Sequence, residues 1–171
     1  DEEQCRIYRD FVPMFQQMQT LSALLRAKRH RRGAVDFDFP ETKVVLDETG
    51  CPVALKAYER NTATKLIEDF MLAANETVAE DFFWREIPFV YRIHEAPDEE
   101  KIRKLAVFLH NFGYTMHVGT NEIHPKEIQK LLARVEGKPE EPMIARLALR
   151  SMKQAKYTPE NEGHFGLATA Y

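Results

Sequence analysis

One long helical pattern between residues 61 and 83 constrains the fold more than any other part of the sequence. Its apolar residues recur every three or four positions, the spacing that aligns side chains along one side of a helix. The apolar residues of the pattern are Ile67, Phe70, Met71, Ala74, Val78 and Phe82. We predict a helix that buries its Ile67, Met71, Ala74 and Val78 side and exposes the opposite, polar face. That polar face carries Lys65, Asp69, Glu76 and Glu80.

Two polar residues of the same pattern fit neither face. Glu68 and Asn75 lie seven residues apart, on the line that separates the apolar and polar sides. A carboxylate and an amide at this border could point into a cleft. Asn61 or Thr62 can cap the first free backbone amides of the helix.

The composition predicts a globular chain. Of the 171 residues 44% are hydrophobic, and the net charge of -3 argues against a wholly basic nucleic-acid binder, although a local basic patch remains compatible with it. Two cysteines favour a reducing compartment, so the cytoplasm is the expected location. No apolar run approaches the roughly 20 residues of a membrane span. Both ends look truncated, because the first residue is not Met and Tyr171 closes an apolar, aromatic run.

Residues 1 to 32 predict two helical segments separated near Pro13, since proline can begin a helix but cannot continue one. The apolar stripe of the second segment is Met14, Met18, Leu21, Leu24 and Leu25. Its last turn is strongly basic and precedes Gly33. Arg29, Arg31 and Arg32 in this turn are candidate phosphate contacts, but cations here also complement the negative end of the helix dipole. The residues alone leave both roles open.

Residues 34 to 58 have a residue pattern that is typical of β-strands. In AVDFDF, residues 34–39, Phe37 lies on one face and Asp36 and Asp38 lie on the other. KVVLD and PVALKAY follow, separated by a turn at residues 47–50, so we predict a meander or a hairpin. The two aspartates are either a metal pair or solvent-facing residues of an edge strand. Phe37 is either a core residue or a ring on which a base could stack.

The second half of the chain predicts a short strand at residues 89–93 and three helices. The helices begin near Pro97, Pro125 and Pro142, and the first has its apolar stripe at Ile102, Leu105, Ala106 and Leu109. His110, His117 and His124 are evenly spaced, but intervening glycines break any common helix, so a shared metal is not expected. Helices dominate and the strands are few, which predicts an α+β fold with a short antiparallel β-meander.

The last segment has no helical period and combines polar, aromatic and glycine residues. Its run LRSMKQAKYTPENEGHFGLA resembles the corresponding run of the ribonuclease II / ribonuclease R family of 3′ to 5′ exoribonucleases. RGAVDFDFPE and KLIEDFMLAANETVAE agree with the same family in order and spacing. The resemblance spans nearly the whole chain, which is therefore expected to be an internal piece, residues 1–171, of an RNB catalytic domain.

The resemblance implies RNA-binding roles for five residues. Phe37 would stack on the 3′-terminal base and Glu68 would contact the terminal nucleotide, and the meander should bring the two close together. Asn75 belongs to the matching Ala-Asn, and His164 and Phe165 lie near the site by motif. No catalytic residue and no metal ligand is expected within the chain. The aspartate cluster that holds Mg²⁺ in the family, and the arginine that stabilises the attacked phosphate, would lie outside it.

The resemblance also implies what the parent protein does and binds. The parent would hydrolyse single-stranded RNA to nucleoside 5′-monophosphates with Mg²⁺, and this chain alone would fold without degrading RNA. Expected partners are single-stranded RNA, the rest of the RNB domain and flanking OB-fold-type domains, with no membrane. Two alternatives are a catalytically dead RNA-binding relative and a helical protein-interaction module. The acidic balance favours the second alternative.

Overall fold

The computed structural model describes residues 2–37, 39, 41–58, 60–118 and 123–171. The helices are α1 (Glu2–Ile7), α2 (Val12–Arg32), α3 (Thr62–Trp84), α4 (Glu99–His110), α5 (Pro125–Val135) and α6 (Glu141–Ser151). The strands are β1 (Glu41–Leu46), β2 (Pro52–Tyr58), β3 (Tyr91–Ile93) and β4 (Lys156–Thr158), and two short 3-10 helices span Arg9–Phe11 and Phe165–Leu167. The predicted α+β class is confirmed.

The chain forms two compact units. The first comprises residues 1–25 and 37–72, and the second comprises residues 26–36 and 73–171. Among the described residues, every buried apolar side chain belongs to the second unit. In the described part of the first unit, the buried side chains are those of Ser22 and Asp69, both polar.

The core of the second unit is built by the last three helices, as the sequence predicts. In α4 the stripe residues Ile102, Leu105 and Leu109 are buried, and the side chain of Asp98 accepts hydrogen bonds from the first free amides of the helix. The apolar faces of α5 and α6 add Ile128, Leu131, Val135, Ile144 and Ala148 to the core, and Tyr91 and Ile93 of β3 are also buried. β3 pairs antiparallel with β4, a strand that the sequence analysis did not predict.

Of the meander or hairpin that the sequence predicts, the structure has the hairpin, which lies in the first unit. β1 and β2 are antiparallel with Val44 opposite Leu55. Oδ1 of Asp47 shapes the turn, because it accepts hydrogen bonds from the backbone amides of Thr49 and Cys51, each at 2.9 Å. All residues of β2 are exposed.

The predicted strand at residues 34–39 is not observed, since residues 34–37 and 39 have no strand conformation. One physical reason lies in the second unit, where the Val35 amide donates to the Gly166 carbonyl oxygen at 2.8 Å instead of joining a sheet ladder. Asp38, half of the proposed metal pair, lies outside the described residues.

The predicted orientation of α3 is wrong on both faces. Ile67, Met71 and Val78 are 53%, 59% and 43% exposed, and Ala74 is exposed as well. Asp69, assigned to the solvated face, is 1% exposed and accepts a hydrogen bond from Ser22 Oγ at 2.6 Å. In the second unit, Glu76 of the same helix is largely covered and pairs with Arg32. The side of α3 that is covered is therefore the side whose carboxylates find polar partners on α2, namely Ser22 for Asp69 and Arg32 for Glu76.

The beginning of α3 and the break before α2 agree with the sequence. Asn61 Oδ1 accepts from the Thr64 amide at 3.0 Å, the predicted N-terminal cap. Pro13 occupies the second position of α2, where its missing amide hydrogen has no helical partner to lose. The predicted stripe of α2 is exposed at Met14, Leu21 and Leu24.

Candidate nucleic-acid site

The residues assigned to RNA fall into two groups. Phe37 and Glu68 belong to the first unit, whereas Asn75, His164, Phe165 and the three arginines Arg29, Arg31 and Arg32 belong to the second. The close approach of Phe37 to Glu68 stays a prediction.

In the first unit, both predicted site residues have partners of their own. The half-buried ring of Phe37 stacks on Phe39, with ring centroids 5.6 Å apart and planes 8° from parallel. The carboxylate of Glu68 is 42% exposed and accepts two hydrogen bonds from Nη2 of Arg60, at 2.8 and 2.9 Å. A third comes from Nε at 3.2 Å. Arg60 was not found by sequence reasoning, although it precedes the helix that carries Glu68, and it restricts the orientation of that carboxylate.

In the second unit, a turn over residues 164–169 is held by His94. The amide of Phe165 donates to the His94 carbonyl oxygen at 2.7 Å, and the amide of Gly166 donates to Nδ1 of His94 at 3.1 Å. Because Nδ1 is an acceptor, the ring proton of neutral His94 lies on Nε2, which is 2.8 Å from the Lys153 carbonyl oxygen. Sequence reasoning did not single out His94.

His164 occupies the first position of this turn. Its Nδ1 accepts from the Leu167 amide at 3.1 Å and so caps the 3-10 helix. Burial lowers the pKa of His164 to about 4, and the neighbouring His94 ring, 5.1 Å away, adds to this effect. Burial also lowers the pKa of His94. Both imidazoles are therefore neutral at pH 7.

Backbone geometry adds to the order of the turn. The His164 amide donates to the Thr169 carbonyl oxygen at 2.8 Å, and Ala168 adopts a left-handed conformation with φ of 49°. Gly163 has φ of 73°, and a Cβ there would lie 2.9 Å from that same Thr169 oxygen. Glycine is thus required at this position for both conformation and space.

A cavity of about 410 Å³ opens beside the two histidines. Its lining residues are His94, Ala96, Ile123, His124, Pro125, Glu162, His164, Phe165, Ala168 and Thr169. The volume is in the range typical of small-ligand sites. His164 and Phe165 are therefore brought together at one concave surface, and Phe165 itself is buried.

Arg32 connects α2, α3 and the turn. Its Nη1 and Nη2 donate to the two carboxylate oxygens of Glu76 at 2.9 and 2.8 Å, while Nε and Nη2 donate to the Leu167 carbonyl oxygen at 3.2 and 3.0 Å. Such a two-pronged pair is among the stronger polar contacts in proteins. Arg31 and Asn75 are exposed, and the carbonyl oxygen of Arg29 accepts from the amides of Gly33 and Ala34 where α2 ends.

Neither a metal site nor a membrane span is found in the described part of the chain. No group of three or more His, Cys, Asp or Glu residues is placed there to hold a metal ion. None of the helices described has the length and apolar character needed to cross a bilayer.

These features can be compared with known proteins. The family model for the RNB domain matches residues 3–171. The chain belongs to the RNB domain family, as the resemblance predicts.

Within this family, the chain is similar in sequence to several ribonucleases R. The chain is 45% identical to ribonuclease R of Aquifex aeolicus over 159 residues, covering 93% of the chain and 22% of that protein. It is 42% identical to ribonuclease R of Thermotoga maritima over 170 residues, covering 99% of the chain and 24% of that protein. The chain thus spans about a quarter or less of these curated relatives.

The fold of the chain is also similar to that of a solved ribonuclease R structure. The fold is similar to that of Mycoplasma genitalium RNase R in complex with ribose methylated single-stranded RNA, with a TM-score of 0.85 and 27% identity. The match covers 91% of this chain and 24% of the other.

Proposed function

We propose that this chain is the part of a 3′ to 5′ exoribonuclease that forms one portion of the channel for single-stranded RNA. The observation that carries the proposal is the RNB match over residues 3–171, with ribonuclease R relatives aligned across almost the whole chain. The complex of the Mycoplasma genitalium relative with single-stranded RNA supports RNA as the ligand. The parent protein would release nucleoside 5′-monophosphates in the cytoplasm.

Phe37 and Glu68 would hold the free 3′ end. A stacked base contributes about 1–3 kcal/mol without sequence preference, which suits an enzyme that removes every nucleotide in turn. Phe39 lies against one face of Phe37, which supports a fixed ring orientation. The fork of Arg60 supports a fixed orientation of the Glu68 carboxylate, so that its exposed part can accept hydrogen bonds from a terminal ribose.

The other assigned residues would act along the RNA. His164, Phe165 and Asn75 would contact nucleotides, and Arg29 and Arg31 would contact phosphates. Arg32 is a weaker phosphate candidate than Arg31, because its guanidinium already donates to Glu76 and Leu167. Its contacts support a role in positioning the turn that carries His164.

The parent would use Mg²⁺ to offset charge on the attacked phosphate. The described residues of this chain do not fit that ion, since they include no cluster able to hold it. No reaction step is therefore assigned to a metal bound here. The ligands would come from the rest of the RNB domain, and OB-fold-type domains would flank it.

The first test compares the isolated chain with the full-length protein. Each is incubated with labelled single-stranded RNA and Mg²⁺, and released mononucleotides are measured over time. We expect steady release by the full-length protein and none by the chain, which lacks the family's aspartate cluster and arginine. Steady release by the chain would mean that the catalytic groups have been misplaced.

The second test asks whether Glu68 serves turnover or packing. In the full-length protein, Glu68→Ala should lower turnover by about tenfold or more, equivalent to about 1.4 kcal/mol of transition-state stabilisation, with little change in melting temperature. Glu80→Ala, an exposed carboxylate on the same helix, is the matched control and should change neither. Parallel losses of activity and melting temperature in Glu68→Ala would indicate a packing role.

A protein-interaction role has one specific observation in its favour, the exposed apolar side of α3 at Ile67, Met71 and Val78. Large exposed apolar surfaces are typical of interfaces. We assign this side to contacts with the remaining parts of the same RNB domain, which makes it compatible with the exoribonuclease proposal. A dead RNA-binding relative would bind single-stranded RNA at full length and release no mononucleotides.

A further inference from the structure

The cavity beside His164 has an unusual charge balance for a site near RNA. Among the described residues that line it there is no lysine or arginine, and Glu162 contributes a carboxylate. His94 and His164 add no positive charge at pH 7, because burial lowers both of their pKa values. A phosphate placed here would meet the Glu162 carboxylate with no lysine or arginine in the lining to bind it directly, although Lys156 and Arg92 lie close enough to interact with Glu162 and His164.

One ring nitrogen of His164 is already hydrogen-bonded, and the other is available to a ligand. Its Nδ1 is occupied by the Leu167 amide, so the ring proton of the neutral imidazole lies on Nε2. Within the described part of the chain, Nε2 has no hydrogen-bond partner. His164 can therefore offer one N–H donor to a ligand, and the cap that it forms fixes the ring that carries this donor.

The remaining walls of the cavity combine apolar and polar groups. Ile123, Pro125 and Phe165 provide apolar surface, and Thr169 adds a hydroxyl group. Glu162 is exposed and can accept a hydrogen bond from an amine. A donor, an acceptor and apolar walls are what a nucleobase requires, since its edges carry both kinds of polar group and its faces are apolar.

We propose that this cavity binds an unpaired nucleobase of the RNA and not its phosphate, with His164 Nε2 donating to a base acceptor and Glu162 accepting from an exocyclic amine. This assignment rests on the proposed RNA-binding function and adds the chemical group that the cavity recognises. A base with an exocyclic amine, which is cytosine, adenine or guanine, is favoured over uracil.

The test uses His164→Asn in the full-length protein. An asparagine at this capping position can still accept from the Leu167 amide, so the turn is retained while the Nε2 donor is lost. Binding is measured for a single-stranded oligocytidine and for an abasic oligomer of the same length, over a series of salt concentrations. His117→Asn, at an exposed histidine in a loop, is the matched control.

We expect His164→Asn to weaken oligocytidine binding about fivefold or more, with the abasic oligomer and the salt dependence unchanged. Equal weakening of both oligomers, with a shallower salt dependence, would assign the cavity to phosphate and overturn the proposal. Wild-type binding of both oligomers by His164→Asn would also overturn it, while leaving the exoribonuclease proposal intact. Failure of the unmodified protein to bind either oligomer would instead refute the proposed function.

A second variant covers the case in which His164→Asn melts at a lower temperature. Glu162→Ala should weaken oligocytidine binding severalfold and leave oligouridine binding unchanged, because uracil has no exocyclic amine. Unchanged or equally reduced binding of both oligomers would overturn the base-binding assignment.

Discussion

Helices α3 and α5 carry comparable apolar repeats, yet one exposes its repeat and the other buries it. In α5, Ile128 and Val135 are fully buried against the neighbouring helices of the second unit. In α3, Ile67 and Met71 are exposed, and the fully buried side chain is that of Asp69. Periodicity therefore identifies an apolar face. Periodicity does not indicate whether the surface that covers this face belongs to the same stretch of chain.

Equal truncations in the two helices should have very different effects on stability. Ile128→Ala should lower the free energy of unfolding of the chain by about 3–4 kcal/mol, because it empties a fully buried site. Ile67→Ala should change it by about 0.5 kcal/mol or less, because the side chain is already exposed. Both are measured by urea denaturation of the isolated chain.

The same two substitutions in the full-length protein test whether other parts of that protein cover the apolar side of α3. If the rest of the domain covers α3, the cost of Ile67→Ala should rise toward that of Ile128→Ala. Similar costs in the isolated chain would show that the α3 repeat is already covered there, contrary to the structure.

A second pair tests the polar side of α3. Asp69→Ala should cost about 2 kcal/mol of stability, because it leaves Ser22 without its buried acceptor. Glu80→Ala, an exposed acidic residue on the same helix, should cost no more than about 0.5 kcal/mol. Thermal melting of both variants decides the matter, and equal effects would restore the predicted solvated position of Asp69.

The third and smallest effect concerns pH and belongs to the second unit alone. The folded pKa of His164 is about 4, below its ordinary value of 6.5, so the unfolded chain binds a proton first as the pH falls. Stability should therefore decrease between about pH 6.5 and pH 4, by about 1–2 kcal/mol after allowing for solvent screening of the partly exposed ring. His94, whose pKa is also lowered by burial, acts in the same direction.

The measurement is the free energy of unfolding across this pH range. His164→Asn should flatten the curve, whereas His117→Asn should not. A wild-type curve that stays flat from pH 6.5 to pH 4 would contradict a neutral, buried His164.

Local signals predicted most of the elements. Asn61 before α3, Pro97 near the start of α4 and the glycine that follows α2 mark boundaries that the structure reproduces, because such signals act within a few residues. The strand predicted at residues 34–39 failed because the alternation of apolar and polar residues does not reveal the partner of the Val35 amide. That partner, the Gly166 carbonyl oxygen, lies far away in sequence.

The site was predictable only through motif resemblance. His164 and Phe165 belong to the motif, and the structure places both at one cavity. His94, which holds the turn, contacts Lys153 and Gly166, 59 and 72 residues away. Arg32 reaches Leu167 across 135 residues. Contacts over such separations leave no local pattern from which a sequence reader could infer them.

The hairpin of β1 and β2 has a practical consequence for handling this chain. Within the described residues this sheet has two strands, so the outer backbone groups of both are open to strand addition, and Val44 and Leu55 form an exposed apolar cross-strand pair. On the other face of the hairpin, Lys43 lies directly opposite Lys56. If two copies of the hairpin stacked on each other, their lysine side chains would repel one another, and this repulsion opposes fibril formation. Concentrated buffers would screen that repulsion, so the purified chain should stay monodisperse longest in dilute buffer.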